Sequence, residues 1–364
     1  MIFLFSIFLL FILASLLFLR APQFGRLPSG KRLEHIKKSR NYRNGQFQNI
    51  SPTPALTEGS TYATVIRKFI FGKSKRGIPA EKVPSKKCDL LQLGAAENVL
   101  IWFGHSSYFL QLDGNKILVD PVFSGSASPV KFTTRSFKGT DVYTTDDLPI
   151  IDYLFISHDH YDHLDYETIV ALKPKVKKVV TGLGVGAHLE RWGYDAGIII
   201  EKDWDEKETL DENLVIHTVP ARHFSGRGFK RNNSLWLSFV LIMPTQKIFI
   251  GGDSGYDQHF KLIGEKFGPF DLVILENGQY NEQWRYIHMM PEEVVQAAVD
   301  LKAKVLLPVH WGKFSLSLHA WDEPIKRLTS AAKNRDILVV HPMIGEPLYL
   351  KNPTSSTAWW EGVS

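Results

Sequence analysis

Apolar and polar positions along the chain follow three different patterns. Residues 1–19 carry no charge, and only Ser6 and Ser15 interrupt the apolar run. As a helix rising 1.5 Å per residue, such a segment reaches about 28 Å, roughly the hydrocarbon thickness of a bilayer. A secretory signal normally has a basic start and a small-residue cleavage site. Here no Lys or Arg precedes the run, and Phe18-Leu19-Arg20-Ala21 is a poor cleavage site. Residues 1–19 are therefore expected to form a transmembrane anchor rather than a cleaved signal. Residues 20–88 are polar and punctuated by Pro22, Pro28, Pro52, Pro54, Pro79 and Pro84. That is the texture of a partly ordered arm or a solvated linker, not of a separate domain.

From residue 98 onward the pattern is one of short apolar runs. Residues 99–103 and 107–112 read as strands, Asp113-Gly114 as a tight hairpin turn, and 116–120 as the returning strand. Further runs occupy 150–157, 179–180, 214–219, 235–243, 247–251, 272–275, 305–308 and 337–340. Helical patterns fall between some of them, most clearly at 291–302, where Pro291 opens the first turn and Glu292 and Glu293 follow. Helices alternating with strands, hairpins included, predict sheets covered by helices in a layered α/β or α+β arrangement. The expected organisation is an anchor at 1–19, a basic Pro-containing arm at 20–88 and a folded domain at 89–364.

Composition narrows the chemistry. With 44% hydrophobic and 22% charged residues in 364, a disordered or fibrous chain is excluded. The single cysteine, Cys88, excludes an intramolecular disulfide framework and a Cys-based zinc finger, so any metal site must draw on the thirteen histidines and on carboxylates. The net charge of +5 averages two opposites. Residues 20–88 carry sixteen Lys/Arg against three Asp/Glu, which leaves the remainder of the chain at −8. An acidic body argues against nucleic-acid binding, whereas the basic arm suits an anionic neighbour. Positive charge placed directly after the apolar run puts the domain on the cytoplasmic side of a membrane.

The densest chemical signal is Ser157-His158-Asp159-His160-Tyr161-Asp162-His163-Leu164-Asp165. Three histidines and three acids follow an apolar strand on one loop. Neutral imidazole is a common zinc ligand and carboxylate a hard oxygen donor. Three further strand ends carry the same residue types: His223 in Val219-Pro220-Ala221-Arg222-His223-Phe224-Ser225, Asp253 in Phe249-Ile250-Gly251-Gly252-Asp253-Ser254-Gly255, and His310 in Leu307-Pro308-Val309-His310-Trp311-Gly312. Arg222 and Arg227 flank His223 and are candidates either for a substrate phosphate or for a loop salt bridge. Asp120 and Asp165 are candidates to accept an imidazole N–H, with helix capping the alternative for Asp165. His105, at a strand end, suits an orienting hydrogen bond. The Trp359-Trp360 pair fits either a membrane interface or ordinary packing.

H-x-H-x-D-H after a strand, with His223, Asp253 and His310 in order behind it, resembles the metallo-β-lactamase superfamily over residues 98–345. Trp102-Phe103-Gly104-His105-Ser106-Ser107, Leu118-Val119-Asp120-Pro121-Val122-Phe123, His288-Met289-Met290-Pro291-Glu292-Glu293 and Pro308-Val309-His310-Trp311-Gly312-Lys313-Phe314 are similar to the branch of N-acylphosphatidylethanolamine-hydrolysing phospholipases D and their bacterial relatives. The resemblance implies an α+β, four-layer αββα sandwich with a dinuclear zinc centre. It implies His158, His160 and His223 on one zinc, Asp162, His163 and His310 on the other, and Asp253 bridging. Functional roles would also fall on Asp120 and His288, the latter as proton donor or substrate ligand.

The activity implied is hydrolysis of the phosphodiester of an N-acylated phosphatidylethanolamine by a hydroxide shared between two zinc ions, giving phosphatidic acid and N-acylethanolamine. A phospholipid substrate and a membrane, engaged through anchor and arm, would be the partners. Two alternatives stand beside it: a lactonase or phosphate-ester hydrolase of the same fold acting on a soluble substrate, and a non-catalytic membrane-tethered binding protein.

Overall fold

The computed structural model describes residues 2–354 and 357–363. In chain order, helix α1 (Ile2–Phe18) leads to α2 (Gly30–Ile36), a small hairpin of β1 (Tyr42–Arg43) and β2 (Gln46–Phe47), and α3 (Tyr62–Phe71). The first large sheet then forms from β3 (Val99–Trp102), β4 (Tyr108–Leu112), β5 (Asn115–Val119), β6 (Ile151–Ile156), β7 (Val176–Gly182) and β8 (Ile199–Lys202), with α4 (Tyr166–Leu172) and α5 (Gly186–Arg191) as its covering helices. The second forms from β9 (Lys207–Asp211), β10 (Leu214–Val219), β11 (Ser238–Ile242), β12 (Lys247–Ile250), β13 (Leu272–Glu276), β14 (Val305–Val309) and β15 (Leu338–Val339). Its helices are α6 (His259–Phe267), α7 (Pro291–Asp300) and α8 (Glu323–Ala332), and β16 (Pro347–Tyr349) returns to the edge of the first sheet beside β3.

Side chains explain the layering. Along β3, Leu100 and Trp102 point into a core shared with Phe239, Leu241 and Ile250 of the other sheet, while Val99 and Ile101 join Ile169, Leu172 and Leu189 under α4 and α5. On the second sheet, Val240, Phe249 and Val273 meet Phe260, Val294 and Leu328 beneath α6, α7 and α8. Both sheets are thus buried on both faces, which is why their strands read as continuous apolar runs instead of alternating ones. Asp113 (φ 45°) and Gly114 (φ 83°) make the left-handed pair of the expected hairpin turn. The expected helix begins at Pro291 and ends at Asp300, two residues early.

The N-terminus bears on two expectations. The transmembrane anchor expected at 1–19 is not confirmed, Met1 itself lying outside the described residues. Helix α1 has 17 residues, about 26 Å at 1.5 Å per residue, and among the described residues no helix is long and apolar enough to cross a membrane. Its last turn tightens, with Arg20 N–H donating to Leu17 O and Ala21 N–H to Phe18 O, and Pro22 follows directly. Nor is the segment 20–88 a solvated linker. Ile36 and Phe47 are completely buried in the inter-sheet core, Phe47 N–H donates to Asn232 O, and Arg32 pairs with Glu190 and Glu201. The C-terminal Trp359 and Trp360 are also buried, stacking with Trp311 and Trp102, so the pair is packing and not an interface belt.

Candidate metal centre

Strands β5, β6, β12, β13 and β14 all end at one edge of the sandwich, where parallel strands β5–β6 and β12–β14 leave their carboxyl ends side by side. The residues that follow them meet there. His158 and His160 come from the loop after β6, His223 from the loop after β10, and their ring nitrogens converge: His158 Nε2 and His160 Nδ1 are 2.9 Å apart, and His223 Nε2 is 3.3 Å from the same His160 nitrogen. His223 Nδ1 donates to Ile287 O at 2.8 Å, which leaves Nε2 of the neutral ring as a lone pair facing the cluster.

A second group lies beside the first. Asp162 Oδ2 is 2.9 Å from His105 Nε2, 3.6 Å from His163 Nε2 and 3.9 Å from His310 Nε2. Asp253 stands between the groups. Its carboxylate is 3.1 Å from His163 Nε2 and 3.2 Å from His310 Nδ1 on one side, and 3.8 and 3.7 Å from His158 and His223 on the other. Gly252 (φ 59°) allows this approach, since a Cβ there would sit 2.9 Å from Ser157 Cβ. Three non-glycine residues of the site, His105, Asp120 and His310, also hold positive φ, backbone strain of about 1–3 kcal/mol each that the surrounding packing sustains.

The electrostatics suit a divalent cation. Burial holds His158, His223 and His310 well below the ordinary imidazole range, helped by neighbouring rings, and brings His160 down to about 4. These rings are neutral and keep lone pairs for a ligand. Burial opposes the charge of Asp162, but His163 and His105 outweigh it and hold the carboxyl well below its usual range. Asp253 is pushed up to about 6 by burial against the pull of His163. Asp253 Oδ1 and His163 Nε2 are buried without hydrogen-bond partners, which is costly for polar atoms unless something else binds them. The donor set, all nitrogen and carboxylate oxygen, fits such an ion.

Surrounding residues orient the side chains of the cluster. Asp120 accepts from Ser157 N–H (2.8 Å), Ser157 Oγ (2.6 Å) and His163 Nδ1 (2.8 Å), the carboxylate–imidazole arrangement that fixes a ligand's tautomer. Asp165 touches no imidazole. It accepts from Ser124 N–H and from the Thr168 hydroxyl at the start of α4, tying two loops. His288 lines the cleft, its ring 5.0 Å from that of His223, and its Nδ1 is 2.8 Å from Glu276 Oε2. Glu276 is absent from the sequence reading. It is fully buried, ends β13 and also accepts from Met289 N–H. The available signal was an acid closing an apolar run between the strands that precede Asp253 and His310.

Arg222 and Arg227 do not line the cleft that holds the cluster. Arg227 is buried behind the loop, donating to the carbonyls of Asp159, Leu164 and Gln23. Arg222 binds Thr53 Oγ1, Pro52 O and Tyr256 O on the arm side. The guanidinium in the cleft is that of Arg231, stacked over Phe224. The cleft itself measures about 380 Å³ and has two kinds of wall. His160, Asp162, Asp253, His288 and His310 form its polar floor, whereas Ala55, Leu56, Tyr62, Val65 and Phe69 of the arm, with Trp284, Ile287 and Leu316, form an apolar side. Phe69 stacks on Trp284 with ring centroids 5.8 Å apart.

A buried His/Asp cluster at the strand ends of an αββα sandwich defines a metal-dependent hydrolase. The model of the Beta-lactamase superfamily domain matches residues 115–311, and the chain belongs to that superfamily. It is 38% identical over 328 residues to an uncharacterized protein of Mycobacterium tuberculosis, covering 89% of this chain and 88% of that one. It is 33% identical over 232 residues to N-acyl-phosphatidylethanolamine-hydrolyzing phospholipase D 1 of Caenorhabditis elegans, covering 59% of this chain and 64% of that enzyme. Among solved structures, a metallo hydrolase of Ignicoccus hospitalis superposes with a TM-score of 0.55 at 19% identity, over 70% of this chain and 98% of that one.

Proposed function

We propose that the protein is a dinuclear zinc phosphodiesterase that hydrolyses N-acylated phosphatidylethanolamine to phosphatidic acid and N-acylethanolamine. The observation that carries this reading is the cleft's division into a metal-ligand floor and an apolar wall built by the arm. A soluble phosphate ester has no use for such a wall, whereas an acyl chain does. The similarity to the worm phospholipase D supports the same substrate class.

In this reading His158, His160 and His223 would hold one zinc and Asp162, His163 and His310 the other, with Asp253 available to both. Two such ions lower the pKa of water and neutralise charge on a phosphoryl group. The chain's own residues do the rest. Asp120 and His105 hold the ligands His163 and Asp162 in place. Water's oxygen bonds to phosphorus, and the bond from phosphorus to the ethanolamine oxygen breaks. His288, braced by Glu276, delivers the proton that the leaving alkoxide needs. Arg231 at the cleft rim binds the lipid phosphate. Contact with the bilayer runs through exposed apolar side chains of α1 and α3, among them Phe3, Phe11, Ile66 and Phe71, beside the basic arm.

Purified, metal-loaded protein incubated with a phospholipid panel in ¹⁸O-labelled water tests this reading. The expected products, identified by mass spectrometry, are phosphatidic acid carrying the label and unlabelled N-acylethanolamine. Label in the alcohol would mean attack at carbon. Turnover of a lactone with no phospholipid consumed would replace the reading with that of a soluble-substrate hydrolase, and absence of bound metal with that of a binding protein.

A further inference from the structure

Behind the metal loop, on the side away from the cleft, the first residues after α1 make a dense set of contacts. Asp159, between His158 and His160, accepts Gly226 N–H on Oδ1 (2.6 Å) and Ser234 Oγ on Oδ2 (2.7 Å), with His188 Nε2 3.2 Å from the same oxygen. The other nitrogen of His188 accepts the backbone N–H of Arg26 at 3.0 Å. A backbone N–H can only donate, so His188 carries its proton on Nε2 and turns it toward Asp159. Gly25 (φ 67°) makes the approach possible, because a Cβ there would lie 1.9 Å from His188 Nδ1.

A second line runs in parallel. The carbonyl of Gln23 accepts Arg227 Nε (2.9 Å) and one terminal nitrogen (2.7 Å), and the other terminal nitrogen donates to Asp159 O (2.8 Å) and Leu164 O (2.7 Å). One guanidinium thus joins residue 23 to both ends of the loop that carries His160, Asp162 and His163. Trp192 Nε1 donates to Pro22 O at 2.8 Å, and Arg191 donates to the carbonyls of Arg20 and Gly25. None of these contacts is to α1 itself.

We propose that residues 20–26 act as a strap that sets the geometry of the metal loop from behind, with His188 as the positioning residue that transmits it through Asp159 to His158 and His160. The chain's N-terminal segment then has two separable parts. Helix α1 serves lipid contact, and the strap after it serves the metal centre. The inference rests on the metal-site reading above.

The test uses full-length protein and reads metal affinity by chelator competition, together with the visible bands of the cobalt-substituted form. His188→Ala and Gly25→Ala should each weaken one of the metal positions by about 10–100-fold and shift the cobalt bands at saturating metal. His188→Gln, which keeps a donor toward Asp159 and an acceptor toward Arg26, should restore affinity to within about threefold of the parent. Removing residues 2–19 should leave affinity and bands unchanged. A merely structural role predicts a lower melting temperature of the metal-free protein with affinity and bands intact, and that result overturns the proposal. So does loss of affinity on removing 2–19, which would assign the effect to α1. A parent protein that binds no metal would sink the metal-site reading instead.

Discussion

The sandwich and the arm use the same amino acids in opposite ways. In the sandwich, apolar residues come in runs, and five of these runs end in a residue with chemistry: Asp120 after β5, His158 after β6, Asp253 after β12, Glu276 at the end of β13, His310 after β14. In the arm, apolar residues come singly or in twos and threes. Ile36 and Phe47 disappear into the core, Phe69 stacks on Trp284, and Ile66, Ile70 and Phe71 remain exposed on the same short stretch of chain. A run announces itself because its partners are neighbouring strands. A single buried residue does not, because its pocket is made by distant sequence. The division of labour that results is that the sandwich holds the chemistry and the arm shapes access to it.

The largest effect should follow from removing the residue between the two ligand groups. Asp253→Ala should abolish hydrolysis and lower metal content from the two ions per chain that we propose, while the protein stays folded by circular dichroism. His158→Ala and His310→Ala should each retain close to one ion by elemental analysis. Full activity with a single ion would break the dinuclear assignment.

Next in size are the residues that act without holding metal. His288→Ala should slow turnover by about 10²–10⁴-fold with metal content unchanged, as expected for a general acid. Glu276→Gln, which keeps the shape of the buried side chain but alters what it offers His288 Nδ1, should reproduce part of that loss. Metal loss in either variant would move the pair from proton delivery to ligation.

The arm supplies the contrasting prediction. Phe47→Ala should cost about 3–5 kcal/mol in chemical denaturation, the usual penalty for emptying a fully buried aromatic site. A linker would tolerate it within about 0.5 kcal/mol. Metal content of the folded fraction should not change.

What the sequence disclosed follows the same contrast. The motif from Ser157 to Asp165 and the strand-end residues His223, Asp253 and His310 were legible because spacing and residue type repeat the demands of a ligand set. Glu276 was not, nor was the role of Asp159 within that motif, since an acid buried behind a site is distinguished only by what donates to it. Arg222 and Arg227 were left between a substrate phosphate and a loop salt bridge, because proximity to His223 in sequence does not say which way a guanidinium turns. Both face carbonyls that lie behind the loop or on the arm. The arm's role in the cleft was illegible altogether, because Val65 and Phe69 wall the site beside residues distant in sequence, from His160 to Leu316.

The smallest effect separates access from chemistry. Helix α3 is capped by reciprocal bonds between Thr61 and Thr64 and held by Phe69 on Trp284, so its outward face can change without loss of the helix. That face exposes Ile66 (57%), Ile70 (65%) and Phe71 (82%) next to Arg67, Lys68 and Lys73. Each apolar side chain that enters a bilayer contributes up to about 1.5–3 kcal/mol, and each basic one near an anionic surface about 1 kcal/mol. Partial insertion of three side chains then accounts for roughly ten- to a hundredfold in vesicle binding. Ile66→Ser, Ile70→Ser and Phe71→Ser combined should raise KM on anionic vesicles by that factor, while kcat on detergent-dispersed substrate and metal content stay at parent values. Equal losses on vesicles and in detergent would make α3 part of the acyl-chain wall alone. Unchanged vesicle kinetics would leave α1 as the sole lipid contact.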